Sequence, residues 1–497
     1  MPTPNTLRIL FATSEISPLI KTGGLADISA SLPAALRELD VDVRVLTPGY
    51  PSVLAGAENI DSLYLFNQFY EFGEVHLLSA TLPHSGVPLM IVDCPPLYTR
   101  VGGPYQDEHK QDWPDNAQRF ALLSRLAAFL GGADNPLDFR PDIVQCNDWQ
   151  TGLTPAYLHF QPGRKPPTVM TIHNLAFQGI FPPLVAGEVG LPPESMDIAG
   201  AEYYGNLSYL KAGLFYADHI TTVSAHYAWE IQHNPLGFGM QGLLHHRREQ
   251  LTGIVNGIDV QEWNPTNDVH LAHHFSVEQL EGKAANKKQL QTQMGLTVDP
   301  DIPLLGVVSR ISYQKGLDLL IEIAPELLKE PVQIVILGTG EAGMEAAFTL
   351  LAQEHPGKVA TIIGFDEKLS HLIEAGIDIF LMPSRFEPCG LNQMYSQRYG
   401  APPVVHATGG LVDTVTDTTP ATLQEQTATG FMFSESTAIA LHDAIRRALE
   451  CHRDRKTWRQ IQHAGMSRDF SWSHSATQYL ELYRSLLAEK LPVGDAR

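Results

Sequence analysis

The chain has 497 residues, with 34 lysines and arginines against 55 aspartates and glutamates, and so a formal net charge of −21. Its length predicts two or three domains at roughly 150 residues each. Its 44% hydrophobic and 18% charged residues are ordinary for a globular protein and exclude general disorder. Because an acidic chain repels phosphate backbones, we expect no nucleic-acid partner. An anionic substrate would have to meet the few basic residues at one place.

The cysteines and the first residues indicate the compartment. The four cysteines lie far apart and include no C-x-x-C pair (Cys94, Cys146, Cys389 and Cys451). This pattern predicts neither a disulfide framework nor a zinc site and favours a reducing compartment. No apolar stretch approaches the roughly 20 residues that span a bilayer, and no signal or transit peptide is recognisable. We therefore expect a cytoplasmic protein without a membrane partner.

In the first half of the chain, short apolar runs alternate with amphipathic segments. The predicted elements are strands over Leu7–Ala12, Val41–Leu46, Ile143–Cys146, Thr168–Ile172 and His219–Val223, and a helix over Leu25–Leu39. This alternation is typical of a doubly wound parallel sheet with helices on both faces.

The same alternation begins again after residue 300. The predicted elements are strands over Leu304–Ser309, Val332–Leu337, Val359–Ile363, Ile377–Met382 and Pro403–Val405, and a helix over Leu317–Leu328. Between the halves, Ile254–Pro265 carries turn residues that are typical of a crossover. We therefore predict two α/β domains, joined near residues 250–265.

A lysine and a glycine follow the first strand of each half. Lys21 precedes Gly23 and Gly24, and Lys315 precedes Gly316. Because ligands bind at the carboxyl edge of an open α/β sheet and helix N-termini favour anions, both places are candidate anion sites. If two such edges face each other, they form a cleft with two basic walls.

The second half offers candidates for a diphosphate and a sugar. Arg310 and Lys315 suit a leaving diphosphate, because arginine binds phosphate oxygens with two nitrogens and lysine adds a compact charge. The alternative is that both are solvated loop cations. In Ser384–Leu391, after a buried strand, Glu387 is placed to accept hydrogen bonds from sugar hydroxyls. The alternative there is a surface ion pair between Glu387 and Arg385.

Polar groups also end two neighbouring strands of the first half. Asp148 follows one strand, and His173 lies within Thr171–Asn174 at the end of the next. Both are expected at the same sheet edge as Lys21. The alternatives are structural: His173 as a hydrogen-bonded core histidine, and Asp148 as a helix N-cap, a role that is compatible with binding.

Two other motifs have simpler explanations. Gly338–Gly343 matches G-x-G-x-x-G, but it follows the second strand of its half and places Glu341 against a pyrophosphate. It also lacks the acidic residue expected about 20 positions on. An NAD-dependent oxidoreductase is therefore only an alternative. The D-x-D strings Asp40–Asp42 and Asp299–Asp301 are better explained as turns, so the sequence predicts no metal.

These motifs together resemble those of one family, the bacterial glycogen synthases and plant starch synthases, over nearly the whole chain. Lys21–Asp27 is the most specific of them. The others follow in the family's order, at Asn147–Gly152, Thr171–Asn174, Val255–Asp259, Ser309–Gly316, Glu387–Gly390 and Thr408–Leu411. The missing transit peptide favours the bacterial branch, whose usual donor is ADP-glucose.

The resemblance implies a GT-B glycosyltransferase, with two Rossmann-like doubly wound α/β domains facing across a deep cleft and no metal or other cofactor. The domains would span residues 1–250, on the acceptor side, and 251–469, which bind the nucleotide sugar. A C-terminal helix, at about 470–490, would pack back on the first domain. The implied reaction is retaining transfer of glucose from ADP-glucose to the non-reducing end of glycogen or another α-1,4-glucan. The oligomeric state is left open.

The resemblance also implies a catalytic set, which is Glu387, His173, Asp148, Arg310 and Lys315. Arg310 and Lys315 correspond to a diphosphate clamp, and Glu387 corresponds to the residue that binds the donor glucose hydroxyls. His173 and Asp148 correspond to groups that hold the sugar near its reacting carbon.

The implied substrate-binding residues are Lys21, Gly23, Gly24, Asn174, Asn256, Phe365, Cys389, Gly390, Leu391, Asn392, Gly409, Gly410, Tyr98 and Trp113. Among them, Phe365 is expected to pack on adenine, and Tyr98 and Trp113 are expected to contact the acceptor. Cys389 is expected to have a packing role and not to act as a nucleophile.

Two positions depart from the family pattern. Asn392 stands where many relatives have threonine, and its amide is expected to donate to phosphate instead. His406 stands where arginine is frequent, which changes a local contact.

For the retaining chemistry we favour front-face attack, in which the leaving phosphate takes the acceptor's proton, over a double displacement through Asp148 or Glu387. The other functions left open are a retaining transferase with a small acceptor and an inactive glucan-binding scaffold.

Overall fold

In the computed structural model, residues 6–490 are described, and they form two compact units. Within that range the first unit contains residues 6–223, 228–256 and 472–490, and the second contains 224–227 and 257–471. The units therefore divide after Asn256, whereas the sequence placed the boundary after residue 250. The short segment 224–227, which the sequence assigned to the first domain, groups with the second unit.

The first unit is built on a nine-stranded sheet in the order β12-β11-β7-β6-β1-β2-β5-β4-β3, with a separate small sheet in the order β8-β10-β9. The strands are β1 (Arg8–Ala12), β2 (Asp42–Pro48), β3 (Glu58–Phe66), β4 (Val75–Thr81), β5 (Pro88–Asp93), β6 (Ile143–Asn147), β7 (Thr168–Ile172), β8 (Ile180–Phe181), β9 (Glu202–Tyr203), β10 (Asn206–Ser208), β11 (His219–Thr222) and β12 (Leu251–Gly253). From β12 to β5 the pairing is parallel, whereas β5, β4 and β3 pair antiparallel.

Helices connect these strands in the manner of a doubly wound fold. They are α1 (Gly24–Glu38), α2 (Pro51–Gly56), α3 (Pro95–Tyr98), α4 (Asn116–Gly131), α5 (Leu153–Phe160), α6 (Val185–Glu188), α7 (Tyr209–Tyr216), α8 (Ala225–Glu230) and α9 (Gln241–His246). Single 3₁₀ turns lie at Tyr70–Phe72, Trp149–Thr151, Pro193–Met196 and Arg248–Gln250.

The second unit has a fully parallel six-stranded sheet in the order β15-β14-β13-β16-β17-β18. Its strands are β13 (Leu304–Val308), β14 (Gln333–Gly338), β15 (Val359–Ile363), β16 (Ile379–Met382), β17 (Pro403–His406) and β18 (Phe431–Phe433). Its helices are α10 (Glu281–Gln293), α11 (Leu317–Leu327), α12 (Ala342–Glu354), α13 (Glu367–Gly376), α14 (Asn392–Arg398), α15 (Gly409–Thr414), α16 (Pro420–Gln424), α17 (Ala438–Arg453) and α18 (Arg455–Met466), with a 3₁₀ turn at Tyr313–Lys315.

Both faces of this parallel sheet are buried, which explains the continuous apolar runs in its sequence. On β14, Ile334 and Ile336 pack in one hydrophobic cluster with Leu320 of α11. Val335 and Leu337, which alternate with them, pack in another cluster on the opposite face.

Every strand and helix predicted from the sequence is present. The bounds of β7 and β15 are those predicted, and the other predicted elements differ by one to two residues at an end. The sequence reasoning missed the antiparallel extension of the first sheet. Seven of the nine residues of β3 are exposed, one is half-buried and one is buried, so this edge strand has no buried face, although Leu63–Phe66 are apolar.

The predictions about disulfides and membrane-spanning segments can be compared with the structure. None of the four cysteines forms a disulfide, as the spacing predicted. Among residues 6–490, no helix combines the length and the apolarity needed to cross a membrane.

The last described helix, α19 (Trp472–Lys490), belongs to the first unit, although the sequence of the second unit precedes it. It packs against α1. The buried hydroxyl of Tyr483 donates to Gln145 Oε1 of β6 at 2.9 Å, and Ser475 Oγ donates to the carbonyl of Val255 at 2.5 Å. These bonds attach the helix to the sheet of the first unit.

Replacing Tyr483 with phenylalanine should destabilise the first unit, because the buried Gln145 Oε1 loses its donor. We expect a cost of about 1–3 kcal/mol, or about 2–4 °C of melting temperature per kcal/mol for a unit of this size, measured by calorimetry. Glu481→Gln alters an exposed side chain of the same helix and should leave the melting temperature unchanged. Equal melting of the Tyr483→Phe variant and the wild type would show that the bond is not required.

Candidate functional site

The loop after β1 exposes a lysine beside an uncapped helix end. Lys21 is half-exposed and pairs with Asp27 at 2.7 Å. Among the described residues, no side chain caps α1, which begins at Gly24, and beyond the adjoining residues no atom lies within 4 Å of the position of a Cβ on Gly23 or Gly24. Uncapped amides at a helix N-terminus attract anions, so the three predicted residues of this loop are suited to a phosphate.

Glu15, which the sequence reasoning did not select, holds that loop in place. Its side chain is 3% exposed. Its carboxylate accepts from the Thr22 amide at 2.5 Å and the Thr22 hydroxyl at 2.7 Å, and from the hydroxyl of Tyr105. The only signal in the sequence was a carboxylate directly after a buried strand.

Asp148 orients the loop that follows the neighbouring strand. Its Oδ1 accepts from the amides of His173, at 2.8 Å, and Asn174, at 3.5 Å. Its φ is +53°, a conformation that is uncommon outside glycine. Burial raises the pKa of this carboxyl to about 7, although the two amides oppose that shift. The side chain makes no cap to the following 3₁₀ turn, so the N-cap alternative is wrong.

His173 has one satisfied and one unsatisfied ring nitrogen. Its Nε2 lies 2.9 Å from Asn147 Oδ1, and Asn147 donates its amide to the Ala12 carbonyl. Because that Oδ1 is an acceptor, the hydrogen-bond network assigns the proton to Nε2. Nδ1 is buried and, among the described residues, has no partner. Burial lowers the pKa of His173 to about 3, so the ring is neutral with an available lone pair at Nδ1.

The other predicted residues of the first unit differ in their exposure and in their hydrogen-bond partners. Asn174 Oδ1 accepts from the Ala176 amide at 3.1 Å. Asn256 is buried, and its Oδ1 has no partner within the described part of the chain. Trp113 is half-buried, and its indole donates to the Gly103 carbonyl at 3.1 Å.

The structure contradicts the prediction that Tyr98 contacts an acceptor. Tyr98 is 1% exposed, and its hydroxyl donates to the Arg119 carbonyl at 2.6 Å. Its ring meets Tyr50 edge-on. The side chain is therefore a core residue whose only polar group is already hydrogen-bonded.

In the second unit, Glu387 and Lys315 form a buried ion pair. Glu387 is 6% exposed. Its Oε2 accepts from Lys315 Nζ at 2.5 Å and from Ser384 Oγ at 2.9 Å. The alternative pairing with Arg385 is wrong, because both terminal nitrogens of Arg385 bind Asp318 at 2.6 Å. That guanidinium holds the pKa of Asp318 below its usual value.

Glycines allow the Glu387 loop to pack against its neighbours. A Cβ on Gly409 would lie 1.9 Å from the Glu387 carbonyl, and Gly409 has a φ of +46°. The Gly410 amide donates to the same carbonyl at 3.1 Å. A Cβ on Gly316, whose φ is +66°, would lie 2.0 Å from the Pro383 carbonyl. The predicted Gly409 and Gly410 thus act at least in part by supporting Glu387.

Two predicted residues of the second unit are open to solvent. Arg310 is exposed and has no side-chain partner among residues 6–490, and Phe365 is 84% exposed. Both follow the carboxyl ends of strands, Arg310 after β13 and Phe365 after β15.

The residues around Cys389 are held by local contacts. Cys389 is 5% exposed, as its packing role predicted, and Gly390 has a φ of +74°. Leu391 immediately precedes α14. Asn392, expected to donate to a phosphate, instead donates its amide to the Val308 carbonyl at 2.5 Å. At the second departure from the family pattern, His406 Nδ1 lies 2.9 Å from the Ser384 carbonyl.

The Gly338–Gly343 motif has no open phosphate site. The Gly340 amide donates to Glu345 Oε1 at 2.6 Å, and the hydroxyl of Thr339 donates to the same oxygen at 2.8 Å. A Cβ on Gly338 or Gly340 would lie about 2 Å from the carbonyl of Ser309 or Ile311. Gly338 and Gly340 therefore serve backbone packing, and the Glu345 carboxylate occupies the place of a phosphate.

Known proteins resemble the chain over nearly its whole length. A model of the starch synthase catalytic domain matches residues 8–246, and a model of the glycosyl transferases group 1 matches residues 294–463. The glycogen synthase of Nitrosospira multiformis is 57% identical over 97% of this chain and 98% of its own, and that of Nitrosomonas europaea is 54% identical over 98% and 99%. The chain belongs to the glycogen synthase family.

Solved structures support this membership of the glycogen synthase family and identify the fold. The catalytic domain of starch synthase IV from Arabidopsis thaliana, bound to ADP and acarbose, matches with a TM-score of 0.86 and 29% identity, over 97% of this chain and 100% of that one. Sucrose-phosphate synthase from Thermosynechococcus elongatus matches with a TM-score of 0.60 and 17% identity, over 97% and 100%, which concerns the fold alone. The chain is a glycosyltransferase with the GT-B fold.

The buried carboxyl of Asp148 predicts a pH dependence of stability. Its pKa is about 7 in the folded chain against 3.8 ordinarily. Between these values the unfolded chain loses the proton and the folded chain keeps it, so stability falls as pH rises to about 7. Asp148→Asn should remove this loss, which amounts to up to about 4 kcal/mol.

Denaturation at about pH 5 and about pH 8 measures this difference. Relative to the wild type, Asp148→Asn should gain stability at the higher pH. Asp134→Asn, which changes an exposed aspartate of the same unit, is the matched control and should show no such gain. A constant difference between Asp148→Asn and the wild type at both pH values would contradict the buried carboxyl.

Proposed function

We propose that the chain transfers the glucosyl group of ADP-glucose to the non-reducing end of glycogen or another α-1,4-glucan, with retention of configuration. The observation that carries the proposal is the buried Glu387, held between Lys315 and Ser384 at the carboxyl end of the second sheet. Its second oxygen has no partner among residues 6–490, and a buried carboxylate with a free oxygen suits the hydroxyl donors of a sugar.

The donor's diphosphate fits the cations of the second unit. Arg310 and Lys315 follow β13, the central strand from which the sheet order reverses, and ligands of open α/β sheets bind at such switch points. Negative charge grows on the leaving diphosphate as the glycosidic bond breaks, so cations placed there stabilise the transition state more than the ground state. These cations supply the charge that a metal would otherwise provide, and we propose that none is needed.

Adenosine diphosphate is the nucleotide we favour. The starch synthase IV structure, at 29% identity, is described as bound to ADP and acarbose, which supports an adenine nucleotide here. The exposed ring of Phe365 is available to stack on a base.

The first unit would hold the sugar and bind phosphate oxygens. Lys21 and the uncapped start of α1 suit a phosphate. The neutral His173 offers Nδ1 as an acceptor for a sugar hydroxyl, and Asp148 positions the amides beside it. Neither role requires His173 to carry a charge.

Front-face attack is the mechanism we favour. Both candidate nucleophiles already accept hydrogen bonds: Asp148 from two amides, and Glu387 from an ammonium group and a hydroxyl. Burial favours the protonated form of Asp148, and Glu387 is held in an ion pair, so neither is a free carboxylate nucleophile. The leaving phosphate is then the group that takes the acceptor's proton.

A cytoplasmic location also stays a prediction.

The direct test is nucleoside diphosphate release from ADP-glucose and, separately, UDP-glucose, with and without glycogen. We expect ADP release that depends on glycogen and on acceptor length. Nucleoside diphosphate release that requires only a small acceptor would favour the alternative of a retaining transferase with a small acceptor. Glycogen binding without release from either donor would favour the scaffold.

Replacing Arg310 with glutamine should lower kcat/KM for the donor about 100-fold or more, with most of the loss in kcat, because the charge acts on the departing diphosphate. Steady-state kinetics with saturating glycogen measures both parameters. Arg446→Gln is the matched control, since Arg446 is a 64% exposed arginine of the same unit, and it should stay within twofold of the wild type. A loss confined to KM would show that Arg310 binds the donor equally in both states.

A further inference from the structure

Three possible metal ligands meet in the second unit, outside the residues assigned to the sugar and the diphosphate. They are His270, Glu367 and His371. One ligand atom from each side chain lies within 4.8 Å of the others. His270 belongs to the segment before α10, whereas Glu367 and His371 are four residues apart on α13 and therefore share a face of that helix.

His371 is oriented as a metal-binding histidine is. Its side chain is fully buried, and Nδ1 lies 2.7 Å from Asp268 Oδ2. Its Nε2 is also buried and has no hydrogen-bond partner among the described residues. A carboxylate that accepts from one ring nitrogen fixes the tautomer and leaves a lone pair on the other, which is the usual arrangement behind a metal ligand.

The surroundings hold this orientation. Asp268 also accepts from the Tyr399 hydroxyl at 2.5 Å and the His270 amide at 2.8 Å. Trp263 stacks on the His371 ring at 3.9 Å. The ring therefore has no freedom to turn Nε2 towards another acceptor or donor, and an unpaired buried nitrogen is unfavourable unless something binds it.

We propose that His270, Glu367 and His371 bind a divalent metal ion of the zinc class. Two imidazoles and a carboxylate form a donor set that Zn²⁺ prefers, with nitrogen and oxygen ligands at about 2.0–2.2 Å. Tetrahedral geometry at those lengths separates ligand atoms by roughly 3.3 Å, so the site closes slightly around the ion. Because Glu367 is exposed and His270 half-buried, these two side chains can move, and water can fill the fourth position.

The proposal goes beyond the proposed glucosyl transfer and gives the ion no part in that reaction. Its binding joins the segment before α10 to the first turns of α13, directly after the loop that carries Phe365. The expected effect of the ion is to stabilise the second unit.

Zinc binding to the whole purified chain, without a histidine tag, tests the site. The protein is stripped with a chelator and titrated with ZnCl₂ against a chromophoric competitor, and the zinc content is then measured by mass spectrometry. We expect one zinc ion per chain. The absorption spectrum of the Co²⁺-loaded protein should show the intense visible bands of a four-coordinate ion.

Two substitutions and a matched control make the test specific. His270→Gln and Glu367→Gln should each weaken zinc binding at least tenfold. His273→Gln removes a nearby exposed imidazole that is not in the cluster and should stay within twofold. Since all three residues are at least partly exposed, we expect folding to be retained, which circular dichroism checks.

Two results would overturn the proposal: no zinc bound by the wild type, or equal binding by the wild type and His270→Gln. If His273→Gln also lost zinc binding, the zinc would be bound by surface histidines without specificity, which would also overturn the proposal. None of these readouts depends on glucosyl transfer, so failure of the metal site and failure of the proposed function are distinguishable.

Discussion

Glu387 is 6% exposed, and the burial of its carboxylate constrains the loops around it. A buried charge is costly unless it is paired and hydrogen-bonded, and here Lys315 Nζ and Ser384 Oγ both reach Oε2. Gly316, directly after Lys315, has a φ of +66° and approaches the Pro383 carbonyl too closely for a side chain. Gly409 makes the same kind of approach to the Glu387 carbonyl. Larger residues at either glycine would displace the backbone beside the ion pair.

The first unit handles its titratable groups differently. Burial raises the pKa of Asp148 to about 7 and lowers the pKa of His173 to about 3, so it favours the uncharged form of both. Uncharged acceptors and donors suit the hydroxyls of a sugar, whereas a phosphate needs cations. Of the cations proposed for phosphate, Lys21 and Arg310 are exposed, whereas Lys315 is paired with the buried Glu387.

The sequence predicted the strands well because a parallel sheet buries both faces of its inner strands, which leaves unbroken apolar runs such as Ile9–Ala12 in β1 and Ile334–Leu337 in β14. It missed the edge strand β3, which is mostly exposed and whose apolar residues are confined to one end, Leu63–Phe66, apart from Ile60. In the candidate site, strand ends predicted the positions but not the partners. Arg385 binds Asp318, 67 residues away, and Glu387 binds Lys315, 72 residues away. Tyr98 is buried against a carbonyl 21 residues along the chain. Such contacts depend on tertiary packing, which local patterns do not specify.

The glycine-rich motif after β14 shows how one pattern can have two physical causes. Glycines at these spacings permit close approach of a pyrophosphate, but they equally permit close approach of a neighbouring backbone. Here a neighbouring main-chain segment lies against the glycines: the Ile311 amide donates to the Thr339 carbonyl, and the Glu341 amide donates to the Ile311 carbonyl. Arg310 lies directly before Ile311 in that paired segment. The motif that suggested a dinucleotide site therefore acts one step away from the proposed donor, by fixing the main chain from which Arg310 extends.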